Sequence, residues 1–279
     1  MEVRFHRSVD EFRAIAEPIY GRDPVEHTVE LTLLRSGALP DDSTLLTVWR
    51  NADVIGAAIR TPPYPLLCNA IPAEAVGDVV SGLSAMCPEL NGVRGARDSA
   101  VAFADAWHGA TGRIGNVTLE ERLYRLATLR SPSGVTGFPR PANDGDRGVL
   151  VDWVELFFSE TFGHARDDDA GNEFVNAAKD KGDQFILWEV DGNPVSMAML
   201  RAPAFGVSRI GPVFTPRDRR GHGYGSAVTA AASDLSRRSG TADVVLFADL
   251  ANPVSNAIYQ RIGFEAVADS VRIDFVSVD

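Results

Sequence analysis

The chain has 279 residues, is 45% hydrophobic and 23% charged, and carries a formal net charge of -11 with a pI near 4.9. That balance is ordinary for a globular chain long enough for one large domain or two modest ones; its acidity argues against nucleic-acid binding, which calls for a basic face, and favours a cationic partner. No uncharged stretch approaches the ~18–20 residues of a membrane span, and the opening MEVRFHRSVDEF has scattered charges and no apolar signal core, so a cytoplasmic location with no membrane partner is expected.

In chain order, EVRFHR reads as a strand and Ser8 to about Ser36 as helical. TLLTVWR and VIGAAIRTP follow as strands meeting at the turn Asn51-Ala52-Asp53. PLLCNA is strand-like, and a helix runs from about Pro72 to Met86, with Ala75, Val76, Val79, Val80 and Leu83 at helical spacing. NGVRGA, a helix from about Asp98 to Gly109 and ERLYRLATLR finish the first half. Cys68 and Cys87 lack metal-ligand spacing and neighbouring histidines, so they read as free thiols.

Residues 131 to 146, SPSGVTGFPRPANDGD, have the composition of a linker or a run of turns, which sets a boundary between domains 1–132 and 133–279. Beyond it come helices over Arg147–Phe162 and Ala170–Lys181, the strand QFILWEV, a turn at Asp191-Gly192-Asn193-Pro194, and the strands VSMAMLRAP and SRIGPVFTP. A helix from about Ser226 to Arg238, the strand VVLFADL, a helix from Pro253 to Ile262 and the strand VRIDFVSV complete the chain. Both halves read β-α-α-β-β-β-α-β-α-β, the pattern of a weak internal duplication.

Between SRIGPVFTP and the helix after it lies RRGHGYGSAV, with glycines at 221, 223 and 225. Glycines at a strand-to-helix corner let backbone N–H groups approach a ligand, and the helix N-terminus adds partial positive charge. Arg217, Arg219 and Arg220 add full charges, so the corner reads as an anion cradle; a turn whose glycines merely permit tight packing is the plainer alternative. Two phosphate motifs fail. A P-loop needs Gly-Lys-Ser/Thr, and the only lysines are Lys179 and Lys181; the dinucleotide fingerprint fails because Ser226 stands where its third glycine belongs.

Arg220-x-x-Gly223-x-Gly225, between a strand and a helix, resembles the pyrophosphate loop of the GNAT superfamily, the Gcn5-related N-acetyltransferases. LFADLANPVSNAIYQRIGF is similar to a second signature of that superfamily, with Asn252 before a helix, Ser255 and Tyr259 within it, and Gly263-Phe264 at its end. Asn252 before Pro253 also suits a helix N-cap, and Gly263 a C-cap. At ~100° per residue Val254, Ala257, Ile258 and Ile262 form the apolar stripe. Tyr259 falls at its edge, on the side of Asn252 and Ser255, which disfavours a wholly buried packing role.

The resemblance implies a mixed α/β fold of two tandem GNAT-like domains, each a mostly antiparallel sheet flanked by helices. It implies acetyl-CoA as cosubstrate and direct transfer to an amine of a small-molecule or peptide acceptor without a metal. Val213, Phe214 and Thr215 would face the pantetheine arm and supply an N–H to the oxyanion; the pyrophosphate would rest on the backbone of Arg220, Gly221, His222, Gly223, Tyr224, Gly225 and Ser226, and Asn252, Ser255 and Tyr259 would also contact the cofactor. Tyr259 would protonate the leaving thiolate. Glu189 is the first candidate base and Asp249 the second, each also readable as a structural acid, and water can serve. His164 and Asp167-Asp168-Asp169 fall where family members build the acceptor wall; if that acidic run faces the groove, it attracts a cationic acceptor. The first half has no Arg-x-x-Gly-x-Gly and lacks the second signature, so it resembles a degenerate repeat without the cofactor loop. Two other functions fit the same residues: a CoA-binding regulatory protein with little turnover, and transfer of a longer acyl group if Met197 and Met199 line the pocket rather than the core.

Overall fold

A computed structural model of the protein describes residues 1–37, 39–163 and 167–277. The first half runs β1 (Glu2–His6), α1 (Val9–Tyr20), α2 (Thr28–Arg35), β2 (Thr44–Arg50), β3 (Asp53–Arg60), β4 (Leu66–Leu67), α3 (Val76–Met86), β5 (Gly92–Ala96), α4 (Arg97–Thr111) and β6 (Ile114–Leu126). The second half repeats the order with β7 (Phe138–Pro141), α5 (Arg147–Phe162), α6 (Asp168–Asp180), β8 (Gln184–Val190), β9 (Asn193–Leu200), β10 (Val207–Phe214), α7 (Tyr224–Arg238), β11 (Asp243–Asp249), α8 (Pro253–Arg261) and β12 (Phe264–Val276). Among the described residues no helix is long and apolar enough to cross a membrane.

The chain forms two compact units. The first comprises Met1–Leu123, Ala248–Ala251 and the chain from Val267 onward; the second comprises Tyr124–Phe247 and Asn252–Ala266. These units do not follow the boundary at 132/133 expected from the sequence. The reason is strand pairing: β12 lies antiparallel to β5, with Ser270 opposite Ala96 and Asp274 opposite Gly92, so most of the last strand belongs to the first unit.

In the first unit the strands run in the order β1-β2-β3-β4-β5-β12-β6. Its core packs Val79 and Leu83 of α3 and Phe103 and Trp107 of α4 on Leu66, Val93 and Ile273, with Trp107 stacked on Phe275 at 5.5 Å. Ser8 caps α1 by accepting the Glu11 N–H, which starts the helix where the apolar spacing begins.

In the second unit the order is β11-β10-β9-β8-β7. Asp191 and Gly192, both at positive φ, make the two-residue hairpin between β8 and β9. β7 lies inside the stretch read as a linker; its Pro139 and Pro141 masked the strand, yet proline is tolerated on an edge strand, where a missing N–H costs no ladder bond. On one face α5 and α6 bury Leu150, Trp153, Val154 and Val175 against Leu187 and Phe214. Met197 and Met199 are fully buried in this cluster, so they are core and give no support to a widened acyl pocket. On the other face α7 buries Ala227, Val228, Ala230 and Ala232 together with Thr229, Ser233 and Ser236. Thr229 and Ser233 donate to carbonyls four residues back, so they behave as small packing residues. They share the buried face with the alanines, and Ala231 and Leu235 are half-buried.

Candidate functional site

β10 and β11 run parallel from Val207/Asp243 to Ile210/Leu246, where their register ends although β10 continues to Phe214. On its other side β10 stays with β9, but Ile210 faces Leu200 and Val213 faces Ala198, so two residues of β10 oppose one of β9. A bulge of this kind bends the strand. Pro212, inside the bulge, has no N–H to offer. The result is a parallel pair that separates toward its carboxyl ends, the place where open α/β sheets receive ligands.

The chain turns at that end. Gly221 and Gly223 hold φ of +84° and +82°, a region costly for other L-residues, and residues 217 to 223 are all exposed. Gly223 is the N-cap of α7, and among the described residues no side chain caps this helix. The first i to i−4 bond joins Ala227 N–H to the Gly223 carbonyl, so the amides of Tyr224, Gly225 and Ser226 lack intrahelical partners. N–H groups without a side-chain cap, next to Gly221, where a Cβ would meet no atom of the described residues within 4 Å, suit an anion. His222 is exposed and stacks on Tyr224 at 5.4 Å.

The corner's arginines are less free than their sequence suggests. Arg217 and Arg220 both donate to Glu160, at 2.9 and 2.6 Å, and Arg219 pairs with Asp218 at 3.1 Å. Burial pushes Glu160 up, but the hydrogen bonds from Arg220 and Arg217 outweigh it and hold the carboxyl below its usual value. Arg220 also donates through Nε to the Thr215 carbonyl at 2.9 Å. The Phe214 carbonyl accepts from Ser196, and Phe214's ring is buried beside Trp153 at 6.2 Å. Contacts from Val213, Phe214 and Thr215 to a ligand are thereby reduced to backbone N–H groups and the half-buried Val213 side chain.

Asn252 caps α8, its Oδ1 accepting the Ser255 N–H at 3.1 Å, with Pro253 at the first helical position. Gly263, at φ +103°, closes the far end, and a Cβ there would lie 1.8 Å from the Thr128 carbonyl oxygen. Val254 is exposed, so the apolar side of α8 begins with Ala257 rather than at Val254. Tyr259 is half-buried between Tyr124 and Phe264, with ring centroids at 6.4 and 6.2 Å. Loss of hydration pushes its phenol up to about 12. Tyr124, which sequence reasoning missed, orients this wall: its hydroxyl donates to Asn256 at 2.8 Å and accepts from Gln260 at 3.3 Å. No local pattern marks it, because its partners lie 132 and 136 residues away.

The acids are placed differently. Glu189 is ion-paired with Arg140, whose guanidinium also binds Asp146 at 2.6 and 2.8 Å and is pushed well above its ordinary value by those bonds. It sits on β8, two strands from β10, and its carboxylate is committed to a structural network. Asp249 accepts the Ala251 N–H at 2.8 Å in the turn after β11. Asp167 caps α6 while its own N–H donates to buried Glu155, and Asp168 and Asp169 occupy the first turn, where acids complement the helix dipole. His164 lies outside the described residues.

The first unit closes the corresponding corner. β4 pairs parallel with β5, the ladder continues through Cys68 N–H to the Arg94 carbonyl, and Asn69 accepts the Ala96 N–H at 2.7 Å. On the other side Ala57 N–H binds the Ala70 carbonyl, with Ile71 buried below. α3 then starts at Val76, with Glu74 in the turn before it and Asp78 in its first turn. Strands that remain bonded and an acidic first turn do not fit a phosphate.

Residues 149–264 match the model of the acetyltransferase (GNAT) family. An acetyltransferase from the GNAT family from Colwellia psychrerythraea superposes with a TM-score of 0.66 at 11% identity, covering 99% of this chain and 100% of that one. A tandem GNAT protein from the clavulanic acid biosynthesis pathway, solved without AcCoA, gives 0.62 at 12%, covering 99% and 98%. A GCN5-related N-acetyltransferase from Sphaerobacter thermophilus gives 0.61 at 15%, covering 100% and 97%. No curated protein matches the sequence. The fold is mixed α/β with tandem GNAT-like domains along the whole chain.

Proposed function

We propose that this chain, whose residues 149–264 match the model of the acetyltransferase (GNAT) family, transfers an acetyl group from acetyl-CoA directly to an amine of a small molecule or peptide. The fold supports acyl transfer in general. One observation carries it: β10 leaves β11 after Ile210/Leu246 and leads straight to an uncapped, glycine-framed helix start.

When bound, acetyl-CoA would supply an activated thioester carbonyl. The amides of Arg220 to Ser226 would hold its pyrophosphate, while N–H groups between Val213 and Thr215 would steady charge on the carbonyl oxygen. Tyr259, with a phenol that stays protonated through neutral pH, keeps a proton at its oxygen for the departing sulfur. Glu189 is dropped as the base because Arg140 holds it; water at the open strand ends takes the amine proton. That committed carboxylate also favours a second reading, a CoA-binding protein with little turnover.

Thermal unfolding with and without acetyl-CoA tests the shared premise. A ligand at 100 times its Kd stabilises by about 2.7 kcal/mol, so Tm rises with acetyl-CoA concentration; an unchanged Tm at millimolar acetyl-CoA contradicts both readings.

A further inference from the structure

The joint between β10 and α7 is built on two hydroxyls. Ser196, on β9, is fully buried, and its Oγ lies 3.0 Å from the Phe214 carbonyl oxygen and 2.9 Å from Thr215 Oγ1. A hydroxyl has one hydrogen and a carbonyl can only accept. Ser196 therefore donates to Phe214, and Thr215 donates to Ser196. Thr215 in turn touches three elements: its hydroxyl meets β9, its carbonyl accepts from Arg220 at 2.9 Å, and its Oγ1 lies 3.3 Å from where a Gly225 Cβ would stand in the first turn of α7.

We infer that Ser196 and Thr215 are positioning residues whose hydroxyl chain sets the spacing between the free end of β10 and the N–H groups that open α7. The inference rests on the acyl-CoA reading, in which those two places receive opposite halves of one ligand. A ligand that bridges them gains affinity from both only if the span between them is fixed beforehand. After the bulge at Gly211-Pro212 β10 pairs with β9 again at Val213/Ala198 and Phe214/Met197, while the ladder to β11 has already ended, so the hydroxyl chain is a side-chain tie that adds to this short ladder at the last residues before the corner. Ser196 also consumes the Phe214 carbonyl, which keeps that acceptor away from the pantetheine arm.

Calorimetry compares CoA with 3′-phosphoadenosine 5′-diphosphate, the half that carries the pyrophosphate. In Ser196→Ala and Thr215→Val the advantage of CoA over this fragment shrinks about tenfold, the scale of one well-placed hydrogen bond, while fragment affinity holds. The double variant is no worse than either single one, because the two hydroxyls act as a unit. Thr215→Ser, which keeps the hydroxyl, retains the wild-type ratio. A purely structural role would lower Tm or both affinities together. An unchanged ratio in folded Ser196→Ala and Thr215→Val protein overturns the positioning role alone; a wild type that binds neither ligand overturns it together with the acyl-CoA reading.

Discussion

Arg220 Nη2 lies 2.6 Å from Glu160 Oε2, joining the glycine corner to the last turns of α5 across 60 residues of sequence. Because Arg217 shares the same carboxylate, this one acid cancels part of the charge that makes the corner attractive to phosphate. Glu160→Gln should tighten CoA binding by roughly threefold at low ionic strength, with the gain fading at ~1 M salt, where the Debye length is ~3 Å. Titrations at two salt concentrations check this, and weaker binding at low salt would show that holding the arginines in place matters more than their free charge.

The same clamp has a pH signature. Glu160's carboxyl is held below its ordinary value of 4.5, so its contribution to stability is complete above that value and is lost as pH falls through the lower folded value. Wild type should lose stability on acidification below about pH 4.5 more steeply than Glu160→Gln. Parallel acid unfolding curves would refute the clamp.

Tyr259→Phe removes the assigned proton donor while keeping the ring between Tyr124 and Phe264. Turnover should fall ~10²–10⁴-fold, the range for a positioned general acid, with donor KM little changed. The raised phenol also predicts an alkaline signature: stability present below pH 10 is lost as pH rises toward 12, and Tyr259→Phe lacks that share of the loss. Full turnover in the variant would remove Tyr259 from the chemistry.

Gly221→Ala and Gly263→Ala separate ligand glycines from structural ones. A Cβ at Gly221 would meet no atom of the described residues within 4 Å, so the change costs about 1 kcal/mol of backbone strain and chiefly weakens CoA binding. Gly263 has a carbonyl oxygen 1.8 Å from the new Cβ, so its variant should unfold at a markedly lower temperature. Melting curves of the two variants give the order; equal Tm values would contradict it.

The element order, the glycine corner and the cap at Asn252 were legible because each is written in neighbouring residues: alternating apolar positions, glycines before a helix, Asn before Pro. What stayed hidden depends on distant partners. Nothing near Ser270 says that it will pair with Ala96, Glu189 looks like a free acid until Arg140 is placed beside it, and Ser196 is one polar residue in an apolar strand. The buried face of α7 escaped a hydrophobic reading because Thr229, Ser233 and Ser236 take apolar places. Tyr259 lies between these cases, since helical geometry put it at the edge of the apolar stripe but could not supply Tyr124 as its neighbour.

Glu189→Gln tests the revised role of that acid. With the carboxylate serving Arg140, turnover per folded molecule should change less than about threefold, well short of the ~10²-fold loss of a general base, while Tm falls. A drop of that larger size with an altered acid limb of the pH profile would restore Glu189 as the base.

The central claim is transfer of an acetyl group from acetyl-CoA to an amine, and mass spectrometry of wild type with acetyl-CoA and a panel of amines, polyamines, aminoglycosides and peptides tests it most directly. The account predicts one acetyl group gained by an acceptor for each free CoA released, with the yield collapsing in Tyr259→Phe. Tight acetyl-CoA binding with no acetylated product from any amine would contradict it and leave a CoA-binding protein without transfer.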